Sequence, residues 1–487
     1  MRRLLLLAGA FAAAALLAPE LASAHVSLYD YKFPLPLWVF LTGGALAVAL
    51  SAPAAAFAVG KRRERTSRSF YRYFAPLHLG AIFTAFATLL LLDALAGGLF
   101  GSELFTANPL TMLVWVDFWV GLGIACALVG NLWDFVSPLN ATGRALERLL
   151  ARRDVAVRRY PERLGVWPSV VLLLGWSWTE LVWSRGDRPR DLAWILIVYF
   201  LAQLVAMSVF GAELWLARGE LFTVLARTFA RFAPLELFVG GFDGDCRARR
   251  CRADDPERLN CPSCWLDAAQ DQRGLRLRPY GAGVRREPGL GPGGGALVVA
   301  LLATVVYDGF RSTNAYVSFH DSIDWGAGTA ESIGSVTMLI VVSGFALAYI
   351  AICAVASLRE ERSIVRTAQR YAPTLIPIAA VYFIAHYFVY WFQVGQISLG
   401  NFADPFEREW VPDYNVWVTI PPGVIWAVQV ALIVWGHVVA VIEAHRVSLD
   451  MHRRAGAAFL AQTPLVLLMV AYTFAGLWVL GTSLSGG

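Results

Sequence analysis

Between Tyr382 and Gln396 the chain reads YFIAHYFVYWFQVGQ, a stretch apolar enough for a bilayer that still carries His386, Gln393 and Gln396. On a helix Tyr382, His386, Tyr390 and Gln393 are four, four and three residues apart, so they line one face. Hydrocarbon offers no hydrogen-bond partner, and a polar stripe at that depth must face protein, water or a ligand. Other apolar segments carry the complementary acids Asp93, Asp117, Glu180 and Asp308. An imidazole and several carboxylates can hold a divalent ion that activates water, or can pass protons. Gln393 and Gln396 would orient a substrate or a water. The plainer reading makes each residue structural. Asp93 and Asp308 would bond hydroxyl or backbone groups at helix ends, Thr304 lying one turn before Asp308. Asp117 would sit near the interface, and His386 would be a core histidine bonded to a tyrosine.

A second chemical signal lies in a polar stretch. Cys246, Cys251, Cys261 and Cys264 are spaced C-x4-C-x9-C-x2-C. Four thiols in a loop expected to face a reducing cytoplasm argue against disulfides and for tetrahedral thiolate coordination of a structural Zn²⁺, with Cys261-Pro262-Ser263-Cys264 as the knuckle. An iron–sulfur cluster and four unliganded thiols in a flexible loop are the alternatives. Cys126 and Cys353 lie in apolar segments and read as packing residues. His25 would become the N-terminal residue after removal of a leader, and its amine and imidazole could bind a late transition metal.

The elements that must position these groups are membrane spans. The chain is 57% hydrophobic and 16% charged, with a mean hydropathy of +0.55; that excludes an ordinary soluble enzyme. The expected fold is an all-α integral membrane protein with about ten transmembrane helices. They run over 37–60, 76–98, 110–132, 166–184, 191–214, 294–310, 333–357, 373–397, 418–443 and 457–480. Residues 1–24 read as a cleaved signal peptide: Met1-Arg2-Arg3, an apolar core from Leu4 to Leu17, then Ala22-Ser23-Ala24. Residues 25–237 form an N-terminal membrane half of about five spans, 238–293 a cytoplasmic insert, and 294–487 a C-terminal half of about five spans. Within the first half, Leu214 to Leu237 reads as a helix lying along the inner interface, interrupted by Arg218, Arg227 and Arg231.

Arginine and lysine alternate between loops. Runs at 61–72, 144–163, 218–286, 359–370 and 446–454 are basic, which places them in the cytoplasm and both mature termini outside a bacterial inner membrane. The outer loop holding Arg185, Arg188 and Arg190 dissents. The net charge of +5 sits in these loops and speaks for lipid contact, not for nucleic acid. In this orientation Asp93, Asp117, Glu180 and Asp308 all fall in the outer half, with His386 near mid-membrane. His320, Asp321, Asp324, Asp404, Glu407 and Glu409 lie in outer loops. His437, Glu443 and His445 fall at an inner helix end and read as a solvated cap.

Several strings carry a family likeness: AHVSLYDYKFPLPLWVF, GNLWDFVSPLNATGR, YPERLGVWP, GAELWLARGELFTV, Tyr307-Asp308-Gly309, AHYFVYWFQVGQ and GHVVAVIEAHR. With these the chain resembles the bacterial polytopic membrane proteins of the fenitrothion hydrolase family. The resemblance implies hydrolysis of lipophilic organophosphate triesters and brings no catalytic set with it. Three function classes follow. The first is a metal-dependent hydrolase of phosphotriesters or similar esters, with a second divalent ion held by His386 and carboxylates from Asp93, Asp117, Glu180 and Asp308. The second is a transporter that uses the same groups for protons or a small solute. The third is a scaffold whose insert contacts a cytoplasmic protein.

Overall fold

The computed structural model describes residues 33–58, 69–71, 77–149, 158–241, 246, 257–287, 289–322, 329–360, 363–408, 418–452 and 454–485. The leader and His25 lie outside these residues, as do Cys251, Asp324 and Glu409. Among the described residues nine helices are long and apolar enough to cross a membrane. They are Leu37–Ala58, Gly80–Phe100, Pro109–Leu128, Pro189–Phe210, Gly294–Arg311, Ala330–Leu358, Ile364–Ala403, Pro422–Met451 and Ala455–Thr482. Backbone in hydrocarbon must bond to itself, and a helix does so within one segment. Pro109, Pro189 and Pro422 open three of these helices, where a missing N–H costs nothing.

The multi-pass helical expectation is met, with one difference. The segment expected to span at 166–184 forms the helix Trp167–Leu181, of 15 residues. At about 1.5 Å per residue it reaches roughly 22 Å, short of a hydrocarbon core of about 30 Å. It stops because Trp183-Ser184-Arg185-Gly186-Asp187 turns the chain, and Arg185 is tied to Asp191 at 2.6 Å at the start of the next helix. The crossing number decides whether both termini share a side, so the expected outside placement of both rests on this segment.

The chain forms two compact units. One takes its described residues from 33–58, 298–389 and 418–485, the other from 69–297 and 390–408. In the first unit Leu37–Ala58, Pro422–Met451 and Ala455–Ser485 pack together, with Thr329–Glu360 against the last. Phe33, Phe40 and Trp426 close one end, with ring centroids 4.9 and 5.4 Å from the indole. His437, Glu443 and His445 are buried at 1%, 2% and 0% exposure, so the expected solvated cap is instead helix interior. Arg446 pairs with Glu443, and His437 Nδ1 donates to Ile433 O at 2.8 Å.

The second unit is centred on Leu221–Ala230, whose ten residues are all buried. This corrects the interfacial reading of Leu214 to Leu237. Ala212–Arg218 and Leu221–Ala230 are two short helices, and the chain then enters a strand. The arginines that looked like an interfacial stripe each meet an acid: Arg218 with Glu162 at 2.8 Å, Arg227 with Asp134 at 2.9 Å, Arg231 with Glu287 at 3.7 Å. Glu220 caps the buried helix by accepting from Phe222 N and Thr223 N, and Tyr199 donates to its carboxylate. Phe222 of this helix meets Trp119 and Trp176 edge-to-face at 6.5 and 5.0 Å, and the two indoles meet each other the same way.

Strands of the insert join Ser69–Tyr71 in a four-stranded sheet. Strands β1 (Ser69–Tyr71), β2 (Leu235–Gly240), β3 (Glu257–Leu259) and β4 (Arg273–Leu277) are ordered β1-β4-β2-β3, all antiparallel. Leu237, Val239, Cys261, Cys264, Trp265 and Ala268 form its small core.

Candidate functional site

Tyr307-Asp308-Gly309 lies near the end of Gly294–Arg311, and His386 lies on Ile376–Ala403. Both helices are largely apolar around these two residues, and Arg311, three residues after Asp308, acts on its carboxylate electrostatically. His386 Nε2 lies 2.9 Å from Asp308 Oδ2. Their side chains are 15% and 22% exposed, so the pair is sheltered without being sealed. Tyr387 is in hydrogen-bonding contact with the same carboxylate, and its ring meets the imidazole edge-on at 4.5 Å. Tyr382 stacks parallel to the imidazole at 6.2 Å. Its buried hydroxyl has no hydrogen-bond partner among the described residues. Gly309 makes this closeness possible. A Cβ there would stand 3.3 Å from His386 Cε1 and 2.5 Å from Val479 Cγ1, the second closer than a real Cβ can come.

The structure thus joins two of the sequence-selected residues. The polar stripe on Ile376–Ala403 divides: Tyr382 and His386 serve one unit, while Tyr390, Gln393 and Gln396 belong to the other. There Gln396 Nε2 donates to Phe392 O, its own helix, at 3.0 Å. Asp117 sits in a π-helical stretch, Met112–Leu122, beside Ser398. A Cβ on Gly395 would stand 3.6 Å from Asp117 Oδ1. Asp117 Oδ2 is buried and has no hydrogen-bond partner among the described residues. Asp93 and Glu180 are half-buried in this second unit. The shared-depth argument could place these acids at one level. It could not choose which helices face one another, and Asp308 is the acid that reaches His386 within its unit.

A divalent ion at His386 would need more. A catalytic zinc takes three protein ligands, and this pair supplies two. Among the described residues, the group of three or more potential ligand atoms is Cys246, Cys261 and Cys264, whose sulfurs lie within 4.8 Å of one another. The donor set at His386 therefore does not fit the expected second ion.

The thiols do fit a metal. Cys246 Sγ and Cys261 Sγ are 3.6 Å apart. Zn–S bonds of about 2.3 Å in a tetrahedron put sulfurs roughly 3.8 Å apart. Cys261 precedes the short helix Pro262–Asp267, whose Pro262 stands at its first position. This turn brings Cys264 back toward Cys261, and both are buried at 1–2% exposure. Trp265 packs beneath them, with Arg273 over its ring at 5.2 Å.

Sequence reasoning passed over a third constellation. Asp134 lies inside GNLWDFVSPLN and is held by Arg227 Nε and Nη2 at 2.9 and 3.1 Å. Asn131 and Asn140 also donate to its carboxylate. The signal was present: two asparagines flank a lone acid in an apolar string, a pattern that asks for a buried cation. Glu236 and Glu287 likewise collect Arg276, Arg278, Arg286 and Arg231 beneath the sheet. No protein-family model, curated protein or solved structure matches this chain.

Proposed function

We propose that this multi-pass membrane protein hydrolyses lipophilic esters, phosphotriesters first among them, with His386 as general base. The hydrogen bond between His386 and Asp308 carries the reading. With its proton on Nε2, the imidazole donates to Asp308, which fixes the ring and leaves Nδ1 to accept a proton. Nδ1 takes a proton from a water as its oxygen bonds to phosphorus. The bond from phosphorus to the leaving oxygen then breaks, and the imidazolium returns the proton to that oxygen. Asp308 stabilises the transient charge on the ring. The likeness to the fenitrothion hydrolase family supports the substrate class. A substrate of that kind dissolves in the lipid that surrounds these helices, in the plasma membrane of a bacterium.

A proton-coupled transporter is the second reading, supported by the placement of both partners on helices long enough to cross the bilayer. In either case Cys246, Cys261 and Cys264 hold a structural Zn²⁺ that keeps the insert folded.

The test uses the purified full chain in liposomes with a chromogenic phosphotriester. Hydrolysis by the parent protein and at least a hundredfold loss in His386→Gln supports the hydrolase. Equal turnover in both refutes it. No turnover, together with a proton-driven solute flux that His386→Gln abolishes, moves the assignment to transport.

A further inference from the structure

We infer that the second unit contains a binding site for a phosphate-bearing ligand, independent of the His386 pair. A cavity of about 270 Å³ lies beside the buried helix Leu221–Ala230. That is several times the space one water needs. Arg218, Arg227 and Arg231 line it, with Thr228 and Glu162. Asp134 and Glu287, which hold two of these arginines, are not among the lining residues. The third arginine is held by Glu162 at 2.8 Å.

Arg227 is the telling member. It is 8% exposed. Its Nε and Nη2 are committed to Asp134, while Nη1 is buried and has no hydrogen-bond partner among the described residues. A buried guanidinium N–H that lacks an acceptor is costly, and guanidinium groups match the oxygens of phosphate.

The opposite wall is a glycine-rich turn, residues 289–294, that opens the helix Gly294–Arg311. Gly291 has φ +71°, a backbone region that suits glycine. The turn is fastened by Val166 N donating to Pro292 O at 2.8 Å, and Gly165 (φ +48°) lets the two segments meet: a Cβ there would fall 2.1 Å from Pro292 O. The 18-residue helix thereby turns its N-terminus toward the cavity, and a helix start favours an anion. Three guanidinium side chains, two of them buried, and a helix start line one space. Because Gly294–Arg311 is long and apolar enough to cross a bilayer, its first turn belongs at headgroup depth. The phosphate can arrive on a lipid headgroup or on a free phosphate ester.

The experiment compares the full chain with Val224→Phe, which fills the cavity and leaves every charge in place, and with Arg218→Gln. Lipid co-purifying from phosphatidylglycerol and phosphatidylcholine mixtures is measured by native mass spectrometry. Glycerol 3-phosphate and inorganic phosphate are titrated by calorimetry. The lipid source predicts phosphatidylglycerol retained by the parent and lost by at least tenfold in both variants. The soluble source predicts saturable glycerol 3-phosphate binding lost in the same way. Leu290→Trp, which fills the cavity from the turn, replaces Val224→Phe should that chain not fold. Variants that keep the parent melting curve and bind both probes as the parent does overturn the site, as does a parent protein that binds neither.

Discussion

Two carboxylates in this molecule each meet a basic side chain below the surface, and the two partners differ in what they can do. Asp134 is 1% exposed at its side chain and accepts from both arms of Arg227 and from two asparagines. Asp308 is 22% exposed, and its hydrogen-bonded basic partner is one imidazole, with Arg311 acting on it through space. Arginine does not give up its proton in proteins, so the first pair can carry no proton chemistry. An imidazole can both give and accept a proton, so the second can. A paired intramembrane or buried acid is therefore not a functional signal in itself. The identity of the partner and the remaining access to water decide.

The sharpest way to break this contrast is Arg227→Met. It leaves Asp134 buried without its cation, and removal of one partner from a buried pair costs about 3–5 kcal/mol. We expect the chain to lose its folded yield in detergent, read by size-exclusion profile and thermal melting. A melting curve like the parent's would show that Asp134 is no more a structural acid than Asp308.

The next effect comes from the thiols, because the knuckle leans on the same pair: Pro262 and Leu266 line a small space with Asp134 and Arg227. Cys261→Ser should lower zinc retained per chain at least tenfold by elemental analysis, and chelation of the parent should reproduce its loss of stability. Zinc retained in full by the variant would remove the metal from the account. His386→Gln follows. Glutamine can still donate to Asp308, so the cost to stability should be about 1 kcal/mol or less, the worth of one partly exposed hydrogen bond. Turnover or flux should nevertheless disappear. A melting loss as large as that of Arg227→Met would make the His386 pair structural too.

Much of this was legible beforehand. Long apolar runs declared nine of the spans, because length and hydropathy are local properties. His386 and Asp308 were both visible as polar intrusions, since each breaks an apolar string. Their partnership was not, because it depends on which helices pack together. Leu221–Ala230 was misplaced for a related reason. Arg227 in it and Arg231 just after it look like an interfacial stripe in sequence, and only the fold supplies Asp134, 93 residues before Arg227, and Glu287 for Arg231 as the acids that permit burial. Trp167–Leu181 was read three residues too long at its end, where Trp183 kept the hydropathy high while the backbone had already turned.

The smallest expected effect is also the cleanest control on the comparison. Arg185 grips Asp191 with Nε and Nη2 at 2.7 and 2.6 Å, a fork as good as that of Arg227 on Asp134. The hydrogen bond to Asp191 holds the guanidinium pKa above its ordinary value, yet the arginine side chain is 52% exposed. Water and salt screen such a pair, and exposed ion pairs contribute little. Arg185→Ala should therefore leave the melting midpoint within error of the parent's at moderate salt. If instead it destabilises as strongly as is expected of Arg227→Met, bidentate geometry rather than burial governs these pairs, and exposure can no longer separate the acids that hold the fold from the one proposed to do chemistry.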